Sequence, residues 1–299
     1  MTAKLIALVL LCGLWGIAEP NPAKPVDCSQ LLTWMVGGVP PQRLLRLSRE
    51  RGLAFRVNNE DVTSALSRAG AHPDFIRALQ KAHGSEGEGL PDTCPAQLTR
   101  AATFVEQERY DEAETIIRKL VMATPDNADL YSALGYIRQQ SGDLDEAFDA
   151  YADAKDLNPE SPEIHSGLSY IFSRWNDGAN AVAEARTALS IDPDNAEAYR
   201  YLGLALFVAD KYSAALHALD ESLARDPKRA ETYYDVGLVQ VAESDFQAAE
   251  ESYLKAVRLN PQLGEAQTSL GNLLRELGQQ PGAVAADRKS KPQAPNPSN

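Results

Sequence analysis

Residues 128–161 read ADLYSALGYIRQQSGDLDEAFDAYADAKDLNPES, and this stretch predicts two helices joined by a short turn. The first helix carries one face in the spacing i, i+3, i+4, i+7, made by Tyr131, Leu134, Gly135 and Arg138. A glycine-containing turn interrupts the pattern before the second helix begins. Pro159 ends the second helix, because the residue before a proline avoids the α region.

The same pattern recurs along the chain every 34 residues. A proline column shows the period without a slip, at Pro125, Pro159, Pro193, Pro227 and Pro261. An alanine column is in phase with it, at Ala113, Ala147, Ala181, Ala215, Ala249 and Ala283. A third column is mostly Leu-Gly, at residues 134–135, 168–169, 202–203, 236–237 and 270–271. A fixed period of this length indicates stacked helix pairs, and the small residues indicate where two helices approach closely.

These columns, together with turn strings such as Leu144-Asp145-Glu146-Ala147, resemble the tetratricopeptide repeat family. The resemblance covers residues 94–285 and implies an all-α, right-handed α–α superhelical solenoid. Its units are 94–127, 128–161, 162–195, 196–229, 230–263 and a partial unit 264–285. The first unit departs from the pattern, with Arg100-Ala101 in place of Leu-Gly. The last has Asp287 in place of an apolar residue, which fits the polar ends of such stacks.

The resemblance also implies a concave groove that binds protein segments, lined by the first helix of each unit. One stripe of those helices predicts the partner-binding residues Tyr136, Tyr170, Arg200, Leu204, Phe207, Tyr234, Leu238, Val241 and Arg275. Apolar anchors of a partner would lie against the middle of the stripe, and its acidic groups near the two arginines. The alternative is that several of these side chains belong to the core between helices. The stripes contain no lysine, so the carboxylate clamp of some family members is not expected.

The N-terminus has the layout of a secretory signal peptide, which predicts an exported protein, periplasmic or extracellular. Lys4 precedes an apolar run from Leu5 to Ile17, and we expect cleavage after Ala18, so that residues 1–18 are removed. The run has 13 residues, whereas a membrane span needs about 20. We therefore expect no stable membrane insertion after cleavage, although an uncleaved anchor is the alternative.

Three further segments surround the repeats. Residues 19–27 are predicted to be a Pro-rich linker, residues 84–93 a Gly/Glu-rich hinge and residues 286–299 a disordered tail.

Residues 28–83 are predicted to form a module of four short helices, which weakly resembles a module ahead of repeats in some exported bacterial proteins. The strings Gly38-Val39-Pro40, 51–55 and 69–71 carry that likeness. We expect Cys28 and Cys94, which border the module, to form a disulfide, with two free thiols as the alternative.

Charge separates the module from the repeats. Residues 43–81 hold eight basic and four acidic residues, whereas residues 94–285 hold 16 basic and 32 acidic ones. The arginines of the second helix, among them Arg43 and Arg46, suggest either a helix-turn-helix nucleic-acid binder or a basic face that docks on the acidic repeats. Export favours the second, so no nucleic-acid partner is expected.

Residue patterns that carry chemistry are missing from the sequence. The four histidines, His72, His83, His165 and His217, show no metal-ligand spacing, and no phosphate loop or nucleophile motif is present. We predict no enzyme activity, no cofactor, no metal and no catalytic residues. The sequence favours an exported scaffold or adaptor for a protein or peptide partner. The alternatives are a self-associating structural repeat protein and, less favoured, a nucleic-acid-binding regulator.

Overall fold

The computed structural model describes residues 24–83 and 90–278. Within these ranges the chain forms fifteen helices and one isolated β-bridge. Four short helices come first: α1 (Cys28–Val36), α2 (Pro41–Arg51), α3 (Glu60–Arg68) and α4 (Pro73–His83). The predicted signal peptide, residues 84–89 of the hinge, the end of the last repeat unit and the tail lie outside the described residues.

The remaining helices alternate in two series. The first helix of each repeat, called the A helix below, is α5 (Ala96–Glu106), α7 (Ala128–Ser141), α9 (Pro162–Arg174), α11 (Ala196–Val208), α13 (Ala230–Ala242) or α15 (Gly264–Glu276). The second, called the B helix, is α6 (Tyr110–Ala123), α8 (Leu144–Leu157), α10 (Gly178–Ile191), α12 (Tyr212–Arg225) or α14 (Phe246–Leu259). Every B helix ends two residues before a proline of the 34-residue column, as predicted.

The small-residue columns are the points where A and B helices touch. A Cβ added to Gly135 would lie 2.8 Å from Tyr151, and one added to Gly237 would lie 2.4 Å from Tyr253. Both distances are shorter than any normal carbon–carbon contact, so only glycine lets the large ring of the B helix pack there. The alanines of the second column at 113, 147, 181, 215 and 249 are fully buried. The predicted packing role of both columns is confirmed.

The turn between the A and B helices uses a left-handed residue in every repeat. Gly142 has φ 91°, and the equivalent positions carry Glu108, Asn176, Asp210 and Ser244 with φ between 57° and 65°. L-residues adopt this conformation at a cost of about 1–2 kcal/mol. Gly278 follows α15 at the same position with φ 74°, so four of the six described positions carry a residue other than glycine and hold backbone strain.

Local signals also define the four-helix module. Asp27 and Asn59 cap α1 and α3 through side-chain oxygens, and Pro41 begins α2, where a missing N–H is harmless. A parallel bridge joins Val26 to Leu53, with the N–H of Val26 donating to the carbonyl of Gly52 at 2.9 Å. The bridge brings the start of the module beside the end of α2.

The module and the first repeats share one apolar core. Leu31 and Leu66 of the module belong to the same buried cluster as Ala101 and Ile137 of the repeats. In the structure Cys28 and Cys94 are joined by a disulfide, with their Cα atoms 5.4 Å apart. The module is therefore packed against the N-terminal end of the solenoid, where it shields the apolar side of the first repeats from water.

Candidate protein-binding surface on the concave face

The A helices α7, α9, α11 and α13 lie against one another in turn and form the inner layer of the solenoid. This layer carries the concave face on which the sequence placed the partner-binding stripe. The structure divides the stripe into three parts: one under the module, one inside a buried polar network, and one left uncovered.

The module covers the beginning of the stripe. Helix α1 lies against α5 and α7, and Gln30 donates to Asp129 at 3.1 Å. Gly38 follows α1 and lies on the ring of Tyr136, where an added Cβ would be 2.3 Å from Cε2. Burial raises the pKa of Tyr136 far above its ordinary value. Tyr136, a predicted partner-binding residue, thus contacts the module while it remains partly exposed.

Two arginines of α2 fasten the module to later repeats. Arg43 contacts the carboxylates of Glu163 and Asp192, and Arg46 contacts Asp192 as well. Arg46 also lies 3.5 Å from Asp194. The basic face of α2 is therefore directed at acidic groups of the repeats, as one of the two interpretations of the sequence proposed.

A buried polar network occupies the middle of the concave face. Arg200 donates to Asp235 at 2.9 Å, and the two side chains are only 11% and 4% exposed. Arg229 donates to Glu197 at 3.1 Å, and the hydroxyl of Tyr201 donates to the same carboxylate at 3.2 Å. Burial raises the pKa of Asp235 to about 6, although the positive charge of Arg200 opposes this shift. The sequence assigned Arg200 to partner binding, but its guanidinium group is enclosed and already paired.

Aromatic contacts lie beside this network. The ring of Tyr170 lies 5.5 Å from that of Tyr201, and Gln139 donates to the Tyr201 hydroxyl at 3.3 Å. Tyr151 donates in turn to Gln139 at 3.2 Å. These bonds join the second and fourth repeats, so they fix the curvature of the inner layer. Tyr170 remains partly exposed at the edge of the network.

The uncovered part of the stripe is apolar. Leu204 and Phe207 of α11 and Leu238 and Val241 of α13 are all partly exposed. They occupy the same two positions of successive A helices, 34 residues apart, and so form two rows. Because neighbouring helix axes are about 8–10 Å apart, the two rows form one continuous patch. We call these four residues the apolar patch.

Several side chains of the patch and its surroundings also contribute to the core. Tyr234, Leu238 and Val241 pack along the buried cluster of α14 and α15, and the ring of Tyr234 lies 5.9 Å from that of Tyr253. Phe207 lies 5.9 Å from the ring of Tyr212 on the following B helix. Each side chain therefore has one packed side and one side open to solvent. These contacts hold the rotamers in place before any partner binds.

Charged groups border the patch. Arg275, the last of the predicted residues, is exposed and donates to Asn272 at 2.8 Å. Arg174 is exposed at the end of α9, and its charge acts on the hydroxyl of Tyr234. Sequence reasoning missed Arg174 because it lies one position beyond the stripe.

The fold and the concave face define a helical-repeat protein of the kind that binds other proteins. A family model described as tetratricopeptide repeat matches residues 98–162, 172–230, 208–263 and 234–297. The chain belongs to the tetratricopeptide repeat family, and the predicted all-α superhelical solenoid is confirmed. No curated protein sequence matched the chain significantly.

Solved structures of similar fold have low sequence identity. A thermophilic tetratricopeptide repeat protein of Thermus thermophilus aligns at 16% identity and TM-score 0.55, over 60% of this chain and 97% of its own. PilW, a widely conserved type IV pilus biogenesis factor, aligns at 19% and 0.53, over 64% and 90%. The Cut9–Hcn1 hetero-tetramer of the APC/C aligns at 18% and 0.57, over 83% and 45%. These likenesses concern the fold.

The described ranges also bear on metal binding and membrane insertion. Residues 24–83 and 90–278 contain no grouping of three or more His, Cys, Asp or Glu side chains able to hold a metal ion. None of the helices in those ranges has the length and apolar character required to cross a bilayer. His165 instead contacts Glu184 and the carbonyl of Pro159, at 2.5 and 2.8 Å.

Proposed function

We propose that this protein is an exported, non-enzymatic scaffold that docks a partner segment on the apolar patch of its concave face. The proposal rests on which parts of that face are covered by other residues of the chain and which part is exposed. The module lies on the first repeats, and Arg200 of the polar network is paired with Asp235. Further along the described part of the stripe, the four residues of the apolar patch combine aliphatic or aromatic surface with partial exposure.

The patch favours a short apolar segment. Two adjacent helices provide a width of about 20 Å, which an extended chain of roughly six residues would span. Interfaces draw most of their energy from a few buried apolar or aromatic anchors, so two partner side chains between the rows would be sufficient. Arg174, whose charge acts on the Tyr234 hydroxyl, and Arg275, which follows Val241 by one repeat, would attract an acidic group of the partner, the role that the sequence gave to Arg200 and Arg275.

Export and the disulfide belong to the same proposal. The apolar run Leu5–Ile17 and the pairing of Cys28 with Cys94 are consistent with each other, because disulfides persist in oxidising compartments. Mass spectrometry of the protein purified from its source tests both: we expect a chain that lacks residues 1–18 and has no free thiol. An intact N-terminus with three reactive thiols, those of Cys12, Cys28 and Cys94, would contradict export.

The docking surface can be tested by site-specific photo-crosslinking. A photoreactive residue at position 204 should capture a partner, and the substitution Leu238→Glu in the same chain should reduce the capture at least tenfold. Position 122 provides the matched control, because Met122 is 84% exposed on a B helix away from the patch. Capture that is equal from 122 and 204, or unaffected by Leu238→Glu, would place the partner elsewhere.

A further inference from the structure

Three aromatic rings lie together at the junction of the second and third repeats. The ring of Phe148 on α8 lies 5.2 Å from that of Trp175 and 5.8 Å from that of Phe172. The rings of Phe172 and Trp175, at the end of α9, are 6.0 Å apart. Trp175 is 41% exposed, and both phenylalanines are partly exposed. We call these three residues the aromatic cluster, which presents an apolar surface to solvent.

The repeat fold does not require aromatic residues at these positions. The residues equivalent to Trp175 in three other repeats are smaller or polar, namely Ser141, Ala209 and Glu243. One repeat earlier, Glu114 and Arg138 stand in place of Phe148 and Phe172 and form an ion pair. The packing of the solenoid therefore leaves the exposed tryptophan unexplained. Tryptophan is enriched among the residues that carry most of the binding energy at protein interfaces.

A row of acidic side chains begins beside the aromatic cluster and follows the exposed face of α8. Its members have the spacing i, i+4, i+8, i+11 and are all exposed: Asp145, Asp149, Asp153 and Asp156. This spacing places them on one side of the helix over a length of about 17 Å, and the first lies one turn before Phe148. We call these four residues the aspartate row. The same four positions of α6, α10, α12 and α14 hold no more than one acidic residue each.

The charge of the aspartate row is not neutralised within the described ranges. Among residues 24–83 and 90–278, no basic side chain pairs with any of the four aspartates. Lys155 is the only basic residue of α8, and its Nζ lies 2.8 Å from Glu184. Arg174 precedes the tryptophan in the chain, but its charge acts on Tyr234 of the concave face. The surface beside the aromatic cluster is therefore negative and attracts a cationic partner.

We propose that the aromatic cluster binds a basic helical segment of a partner protein, whose charges lie along the aspartate row. Lysine or arginine side chains at the spacing of the row would lie opposite its carboxylates. An apolar side chain at the end of the segment would contact Trp175, and a basic one there would gain a cation–π contact. The site lies on the junction of α8 and α9, apart from the apolar patch, and does not depend on the proposed function.

Fluorescence anisotropy with a labelled synthetic peptide tests the site. The peptide is an alanine-based helix whose lysines have the spacing of the aspartate row, with a phenylalanine at each end. A control peptide of the same composition carries its lysines in one block, and the unaltered protein should bind it at least fivefold more weakly. Asp149→Asn/Asp153→Asn should weaken binding of the first peptide at least tenfold, and Trp175→Ala at least fivefold. These side chains are exposed, so the variants should fold, which circular dichroism checks.

Matched variants elsewhere on the solenoid provide the controls. Asp220→Asn/Glu251→Gln removes the same charge from exposed positions of α12 and α14. Phe246→Ala removes a ring that is 37% exposed in another repeat. Neither variant should change binding of the peptide by more than twofold.

Three results would overturn the proposal. One is the absence of saturable binding of the spaced peptide to the unaltered protein. Another is equal binding of the block peptide, or equal weakening by Asp220→Asn/Glu251→Gln, which would reveal only a general attraction to an acidic protein. The last is unchanged binding by Trp175→Ala, which would leave the aromatic cluster without a role. The substitutions Leu204→Glu and Leu238→Glu should leave the titration unchanged, so failure here is distinguishable from failure at the apolar patch.

Discussion

Gly38 of the N-terminal module lies against the ring of Tyr136 in the second repeat. Gly38 has φ 72°, and the ring leaves no space for a Cβ atom at this position. An added Cβ would be 2.3 Å from Cε2 of the ring. This contact joins the module to the concave face, and it places one of the expected partner-binding tyrosines beneath the protein's own chain.

The contact predicts that Gly38→Ala is strongly destabilising. We expect a loss of about 2–4 kcal/mol in the free energy of unfolding, from the left-handed backbone together with the clash. Urea unfolding followed by circular dichroism measures it. Gly142→Ala is the matched control, because Gly142 has φ 91° but no atom within 4 Å of an added Cβ, so it should lose only about 1–2 kcal/mol. Equal losses would mean that the module does not press on Tyr136.

The left-handed turn positions predict a stabilising substitution. Ser244 has φ 65°, so Ser244→Gly removes an unfavourable backbone conformation and should raise the free energy of unfolding by about 1 kcal/mol. Gly142→Ala makes the reverse change at the equivalent turn, where φ is 91° and nothing lies near an added Cβ, and it should lower stability by a similar amount. Thermal unfolding of both variants checks the signs. Two shifts in the same direction would contradict the argument.

Asp235 predicts a specific dependence on pH. Its pKa is raised from 3.8 to about 6 in the folded chain, so the folded state holds a proton more tightly than the unfolded state. The contribution of this group to stability is therefore fully present below pH 3.8 and is lost as the pH rises towards about 6. Carboxylates with lowered pKa values, such as Glu184, act in the opposite direction over the acid range.

The difference between the unaltered protein and Asp235→Asn isolates this contribution. Below pH 4 Asp235 is protonated in the folded chain and resembles asparagine, so the two proteins should differ little in stability there. Between pH 4 and pH 6 the unaltered protein should lose stability relative to Asp235→Asn, by at most about 1.4 kcal/mol per pH unit. A carboxyl NMR titration of Asp235 should give a midpoint near 6. A midpoint below 4 would show that Arg200 outweighs burial.

The disulfide predicts a redox-dependent stability. Cys28 and Cys94 close a loop with a sequence separation of 66, which restricts the unfolded chain and contributes about 2–4 kcal/mol. Replacement of both cysteines by serine should lower the free energy of unfolding by that amount. A dithiol reductant should then lower the unfolding midpoint of the unaltered protein and leave that of the serine variant unchanged. Equal sensitivity of the two would contradict a stabilising bond.

The repeat architecture could be predicted from the sequence because its causes are local. A period of 34 residues, a proline after each B helix and glycine opposite a large ring all act between neighbouring elements. The apolar patch could also be predicted, because its residues recur at the same 34-residue period. The exposure of Tyr136 and Arg200 could not be predicted, because it depends on groups far away in the chain.

Two kinds of long-range contact decided the rest. Arg43 meets Glu163 and Asp192 across 120 and 149 residues of chain, and Gln139 meets Tyr201 across 62. The sequence alone established a solenoid of helix pairs, since each pair is specified by its own residues and by the next repeat. Only the tertiary structure established which part of the concave face stays uncovered. That outcome depends on where the module packs and on how the curvature of the solenoid brings distant charges together. Neither can be recognised in the sequence, because these long-range contacts do not repeat with the 34-residue period.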